Sequence, residues 1–252
     1  MSAAPILGEV SAAQFLSDYW QQQPLLVRGA LAADYAPVSG ETLAGLSLEE
    51  EVESRLVLAC AEESAWQLRH GPFSEAAFLN LPEHNWTLLV QALDLWLPEV
   101  AQLLTQFDFL PRWRLDDVMA SYAVPGGSVG PHYDHYDVFL VQTLGDRLWQ
   151  IGQRCDRDTL LLDNTGLKIL QDFKPVQEWL LAPGDMLYLP PGLAHWGVAQ
   201  SECVTLSVGF RSPTLADLLG DLAIELTAQG DERLYRDPPL TPEMAQMTIA
   251  PE

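Results

Sequence analysis

The 252 residues predict an α+β, mainly β chain: an antiparallel sandwich or jelly-roll barrel, preceded by helices and followed by one more helical segment. Three observations carry that prediction. After Pro111, short β-rich runs bounded by Gly and Pro follow one another: V-M-A-S-Y-A-V, V-F-L-V-Q-T-L, R-L-W-Q-I-G, M-L-Y-L and C-V-T-L-S-V-G-F. From Thr214 the apolar period turns helical, with Leu215, Leu218, Leu219, Leu222 and Leu226 on one stripe. A hydrophobic content of 48% with 8 Trp is enough for one large core and an appendage.

Along the chain, Ser11 caps an expected helix over S-A-A-Q-F-L-S-D-Y-W, with Phe15, Leu16 and Trp20 at helical spacing, and P-L-L-V-R-G-A reads as a short strand. Residues 47–60 read as a second helix whose acidic first turn suits the positive end of its dipole. Residues 86–107 read as an amphipathic helix broken at Pro98. The expected organisation is a helical N-terminal region with early strands over 1–110, a barrel core over 111–212, and over 213–252 a helix with a Pro-rich tail, a candidate dimerisation segment. No internal repeat is evident.

Charge excludes one class of partner. The 13 Lys and Arg stand against 35 Asp and Glu, a net −22 that repels nucleic acid phosphates, so no direct nucleic acid binding is expected and a basic protein partner is favoured. No apolar run reaches the roughly 18–20 residues that span a bilayer, and M-S-A-A-P-I-L-G-E-V lacks the features of a signal peptide, so the expected location is cytoplasmic, off the membrane. Cys60, Cys155 and Cys203 are widely spaced, which indicates buried thiols rather than disulfides or a thiolate zinc site.

The chemistry centres on residues 131–139, P-H-Y-D-H-Y-D-V-F, which print His-Tyr-Asp twice. His132 and Asp134 are two apart and would project from one side of a strand. Sixty residues on, A-P-G-D-M-L-Y-L-P-P-G-L-A-H reads as turn, strand and turn delivering His195. Two His and one carboxylate make the facial triad of non-haem iron, which leaves positions open for substrate and oxygen. The second copy, His135 and Asp137, is shifted by an odd number and would face the other way. The first copy follows the small-residue approach G-G-S-V-G-P and is favoured, although spacing alone leaves the choice open.

A jelly roll using 2-oxoglutarate also needs a buried cation, and Arg147, with its planar fork, is the candidate. Gly145-Asp146 reads as a two-residue hairpin loop pairing Leu144 with Arg147, but the chain must bend near Tyr136-Asp137, so parity alone also allows a surface arginine beside Asp146. In C-V-T-L-S-V-G-F the polar side, Thr205, Ser207 and Gly209, is expected to face the interior, with Ser121 on the opposite wall.

These stretches together resemble the JmjC-type cupin hydroxylases, most closely the bacterial ribosomal oxygenases that hydroxylate an arginine of ribosomal protein L-sixteen. The resemblance rests on F-L-S-D-Y-W-Q-Q-Q-P-L-L-V-R-G-A, G-G-S-V-G-P-H-Y-D-H-Y-D-V-F-L-V-Q-T-L-G-D-R-L-W-Q-I-G, P-G-D-M-L-Y-L-P-P-G-L-A-H and S-V-G-F-R, and covers residues 10–236. It implies a double-stranded β-helix, iron(II) held by His132, Asp134 and His195, and 2-oxoglutarate gripped by Arg147 with Ser121 and Thr205 alongside. It further implies a dioxygenase that consumes O2, releases succinate and CO2, and hydroxylates an arginine on a basic large-subunit ribosomal protein. Alternatives are a histidyl hydroxylase of a ribosomal protein, or a metal-binding cupin that acts as a sensor or scaffold without turnover. His135 stands where relatives carry a non-ligand. Such relatives also continue into a winged-helix-like domain with no counterpart in these 252 residues, which bears on whether the protein is a homodimer.

Overall fold

The computed structural model describes residues 5–60, 65–163, 166–230, 233, 234, 236 and 239. The described residues between 5 and 212 hold eleven strands in two antiparallel sheets. The larger contains β1 (Leu25–Val27), β2 (Ser54–Cys60), β3 (Ala65–His70), β4 (Trp86–Val90), β5 (Leu115–Ala123), β6 (Asp137–Leu144), β9 (Met186–Leu189) and β11 (Cys203–Phe210), in the order β1-β9-β6-β11-β5-β4-β2-β3. The smaller contains β7 (Arg147–Arg154), β8 (Gln177–Leu181) and β10 (Leu193–Ala199), in the order β10-β7-β8. This is the jelly-roll core read from the sequence, and the N-terminal region adds strands at both edges of its larger sheet.

Alternation along β11 sorts the chain into two cores. Val204, Leu206, Val208 and Phe210 face outward into the principal hydrophobic core, where they meet Phe139, Tyr188, Phe15 and Phe107. Thr205, Ser207 and Gly209 take the other face, toward the barrel interior, where Thr205 pairs with Ser121 of β5 and Gln142 of β6. A smaller apolar cluster, Val138, Leu140, Leu187 and Leu189 against Trp149, Ile151, Leu181 and Leu193, fills the interior between the sheets. The outer core is closed by the N-terminal segment: Ser11 accepts from the Gln14 amide to cap α1 (Ala12–Gln14), which runs into a π-helical turn over Phe15–Tyr19.

Three expectations are corrected. Residues 47–60 are a turn followed by β2, because Ser54–Cys60 sits between β3 and β4 with both Leu56 and Val57 fully buried. Residues 86–107 begin as β4, whose five residues are all buried, make one 3-10 turn at Leu93–Leu95 and become α-helical only at α4 (Pro98–Leu103), where Pro98 occupies the first turn and starts the helix instead of breaking it. An apolar run buried on both faces carries no period that separates strand from helix. Third, Gly145-Asp146 does not close a hairpin. Leu144 pairs with Val204 in the larger sheet, while Arg147 pairs with Ala199 and Leu181 in the smaller, so the turn carries the chain across the barrel. Gly145 has φ +58, and a Cβ there would collide with the Glu202 carbonyl.

Two short helices, α2 (Gly40–Leu46) and α3 (Glu75–Leu79), and the strands β3 and β8 have no counterpart in the sequence reading. Of the three cysteines, Cys203 is buried and Cys155 is only half-buried, while the Cys60 side chain lies outside the described residues. Residues 213–252 form a separate unit. It contains α5 (Leu215–Ala228), capped by a reciprocal pair in which Thr214 accepts from the Asp217 amide and Asp217 accepts from the Thr214 amide. Most of the tail expected from Gly230 lies outside the described residues.

Candidate metal and co-substrate site

His132, Asp134 and His195 come together as one cluster, with one ligand atom from each lying within 4.8 Å of the others. His195 lies within β10. His132 and Asp134 sit on the extended segment between β5 and β6, not in a regular strand as the spacing suggested. That segment is bonded to β10 through a reciprocal backbone pair, His132 N–H to His195 O at 3.0 Å and His195 N–H to His132 O at 2.8 Å. The chain then bends at 135–136 before β6 begins.

Both imidazoles are oriented by carbonyls. His132 Nδ1 lies 2.9 Å from Gly130 O, and His195 Nδ1 lies 2.9 Å from Leu193 O. A carbonyl only accepts, so each Nδ1 carries the proton and each Nε2 is left as a lone pair for a metal. The Nε2 of His195 is 3.6 Å from Asp134 Oδ2. Burial, and then the neighbouring His132, push the His195 pKa from 6.5 down to about 4, which keeps it in the neutral, ligating form. Two imidazole nitrogens and one carboxylate fit a borderline first-row metal such as iron(II).

The second His-Tyr-Asp copy divides. His135 is exposed, its ring edge-on to Tyr133 at 5.1 Å. Asp137 is wholly buried and accepts from Tyr188 Oη at 2.5 Å, Gln21 Nε2 at 3.1 Å and Arg114 Nη2 at 3.2 Å, so it ties the N-terminal segment to the barrel. Neither residue belongs to the three-residue cluster.

Deeper in the barrel Arg147 is 4% exposed. Its Nη1 donates to Ser121 Oγ at 2.7 Å, while Nε and Nη2 are buried without a partner, and no carboxylate of the described residues pairs with it. A buried guanidinium with two unused donors is costly unless an anion completes it. The geometry fits the carboxylate of a small acid. Thr205 lies beside Ser121 in the ladder between β11 and β5, so Ser121 shares its sheet instead of facing it from the opposite wall as expected, and the Thr205 hydroxyl donates to Gln142 Oε1 at 2.8 Å. Gln142 is a buried contributor to this floor that the sequence reading did not single out; its place on the Thr205 face was the available signal.

Between anchor and metal cluster stands Trp149. The ladder sets Arg147 opposite Ala199, Trp149 opposite Gly197 and Ile151 opposite His195. The Trp149 ring lies 5.7 Å from the Arg147 guanidinium and 5.8 Å from the His195 ring, and its buried indole N–H has no partner. Gly197 makes this arrangement possible, since a Cβ there would sit 2.7 Å from the indole.

At the outer end, the same face of β5 continues from Ser121 through Met119 to Asp117. Asp117 Oδ2 accepts from Gln91 Nε2 at 2.6 Å and from the Ala92 amide at 2.9 Å. Its Oδ1 and the Tyr136 ring edge both lie within 3.8 Å of the space above Gly209. Tyr136 already carries the Arg211 guanidinium over its ring at 5.7 Å. Burial raises the Asp117 carboxyl above the ordinary carboxylate range. A carboxylate and an aromatic ring flank this niche. Of the expected wall residues, Tyr133 donates to Asp156 O and Trp196 to Ser128, so both are held in place by their polar ends.

Residues 102–218 match the family model for the JmjC domain. The chain is similar to a probable ribosomal oxygenase of Haemophilus influenzae, 43% identical over 210 residues that cover 83% of this chain and 52% of the relative. It is also similar to the ribosomal protein uL16 3-hydroxylase of Escherichia coli, 38% identical over 245 residues, 94% of this chain and 63% of the relative. The chain thus spans between half and two thirds of the length of these curated relatives. Among solved structures, that of the Escherichia coli ribosomal oxygenase YcfD in complex with cobalt and 2-oxoglutarate superposes with a TM-score of 0.80 at 37% identity, over 96% of this chain and 63% of that one.

Proposed function

We propose, from the match of residues 102–218 to the JmjC domain and the antiparallel barrel that holds them, that this chain is an iron(II)- and 2-oxoglutarate-dependent protein hydroxylase acting on an arginine of a basic large-subunit ribosomal protein. The observation that carries the reading is Arg147: a buried cation with two unused donors, on the same barrel wall as the ligand-bearing β10. That separation of anion anchor and metal cluster suits an acid with a carboxylate at each end. The ligands of the YcfD complex, cobalt and 2-oxoglutarate, support the same pair of sites here.

In this reading His132, Asp134 and His195 hold the iron and Arg147 grips the distal carboxylate, with Ser121 aligning the guanidinium and Thr205 on the pocket floor. Iron(II) there supplies the oxygen-dependent decarboxylation of 2-oxoglutarate to succinate and CO2 and the insertion of one oxygen into an unactivated C–H bond. The chain's own work is positioning and exclusion of water. Apolar Val138, Leu140, Leu187 and Leu189 dry the interior, and the Nδ1–H bonds fix both imidazoles. Asp117 and Tyr136 offer an incoming guanidinium a carboxylate and a ring face. Net charge of −22 attracts a basic substrate from a distance.

The test is to incubate anaerobically prepared protein with iron(II), 2-oxoglutarate, O2 and purified large-subunit ribosomal proteins, then read intact masses and map the gain. One added oxygen on an arginine of one basic protein, lost with His132→Ala, is expected. The same gain on a histidine moves the target to the histidyl class. No gain and no succinate, despite tight 2-oxoglutarate binding, overturns the hydroxylase reading in favour of a sensor.

A further inference from the structure

We propose that Ser128 is a positioning residue for the metal site, closing the bulge that aims His132, an inference that rests on the metal-binding reading above. The segment before His132 is stitched to β10 at two places. Gly126 N–H donates to Ala199 O at 2.8 Å and Ala199 N–H to Gly127 O at 3.0 Å; farther along, His132 and His195 exchange backbone bonds. Between these points the segment uses Ser128 to His132, one residue more than β10 uses from Val198 to His195. The surplus bulges, and a bulge beside two ligands re-aims the side chain that follows it.

A bulge strands backbone donors, and here one side chain takes up the Gly130 amide together with an indole from β10. Ser128 is 3% exposed, and its Oγ accepts from the Gly130 amide at 3.1 Å and from Trp196 Nε1 at 2.8 Å. Trp196 is the residue after His195. The Gly130 carbonyl is the acceptor that holds His132 Nδ1–H. One hydroxyl therefore links Gly130, whose carbonyl orients His132, to the indole next to His195, joining the two ligand-bearing segments through side chains as well as backbone. Gly130 has φ +81, and a Cβ there would press on Ile169 and Trp66, so only glycine suits this turn of the chain. Without the hydroxyl, the Gly130 amide and the Trp196 indole lose their shared acceptor, and the Gly130 carbonyl loses its aim. The metal-binding Nε2 of His132 moves with it.

The experiment compares the parent chain with Ser128→Ala, which removes the acceptor, and with Trp196→Phe, which removes one donor and keeps the ring. Metal-free proteins are titrated with cobalt(II) by calorimetry, the cobalt absorption spectrum is recorded, and the His132 tautomer is read by 15N NMR. We expect Ser128→Ala to bind cobalt about ten- to a hundredfold more weakly, with an altered spectrum and a His132 ring no longer held in the Nδ1–H form. Its metal-free melting temperature should fall no further than that of Trp196→Phe. Parental cobalt affinity and an unchanged tautomer in Ser128→Ala overturn the proposal while leaving the hydroxylase reading intact. A parent chain that binds no cobalt overturns both. If Ser128→Ala does not fold, Trp196→Phe decides: weaker cobalt binding in a folded protein supports the link, and parental binding overturns it.

Discussion

Acidifying the metal-free protein should destabilise it through His195 by a calculable amount. The ring is 2% exposed, and burial together with His132 lowers its pKa from 6.5 to about 4. The unfolded chain therefore takes up this proton first as the pH falls. The stability that neutral His195 contributes is fully present above the unfolded value, is lost as the pH falls from 6.5 toward 4, and changes no further below that. Each pH unit within that window costs about 1.4 kcal/mol, so moving from about pH 7.5 to about pH 5 removes about 2 kcal/mol. The assay is urea unfolding of chelator-treated protein at both pH values, for the parent and for His195→Gln. Burial also raises Asp117 and Asp137, and a raised carboxyl favours the folded state in acid; both groups are present in both proteins, so the difference removes them. The parent should lose about 2 kcal/mol more than the variant. Equal losses would refute the assignment of a buried, neutral His195.

Other perturbations separate the roles of neighbouring residues. Asp134→Ala should abolish metal binding and turnover while changing metal-free stability by less than about 1 kcal/mol, because Asp134 is half-exposed and holds little structure; full activity would move the site to the second His-Tyr-Asp copy. Arg147→Ala should weaken 2-oxoglutarate binding by about a hundredfold, the loss expected for charge-assisted bonds in a buried pocket, and an unchanged titration would assign the anchor elsewhere. Tyr188→Phe removes the hydroxyl that donates to Asp137 at 2.5 Å and accepts from the Gln21 amide at 2.8 Å. It should cost about 1–3 kcal/mol in urea unfolding, whereas an unchanged midpoint would show that Asp137 finds other partners.

What was legible in the sequence follows from which signals are local. β1, β5, β6, β7, β9 and β11 alternate or end at Gly and Pro, and α5 announces itself by a stripe that starts at Thr214, so their types were readable from composition and period, whereas β8 was missed and β10 was read only as a turn delivering His195. β2 and β4 were not readable, because Leu56, Val57 and the five residues of β4 are buried on both faces and so lose their alternation. The grouping of His132, Asp134 and His195 was foreseen. The path that brings Arg147 inside was not, because a two-residue loop looks alike whether it closes a hairpin or crosses between sheets. Trp149 and Ser128 were invisible for a different reason: each matters through one specific atom, and a single hydroxyl or indole N–H leaves no pattern in a sequence.

The tie at Asp137 sets the boundary at which this chain can be cut. The family model matches from residue 102, yet the partners of Asp137 include Gln21, and the flanks of β9 and β5 are covered by β1 and β4. A fragment trimmed to the matching region would leave a buried carboxylate short of a donor and two strand edges unpaired, the features that drive aggregation. The stretch that matches the family model and the stretch that folds are therefore different lengths here. A fragment meant to fold has to keep Gln21 and β1 rather than begin at the start of the matching region.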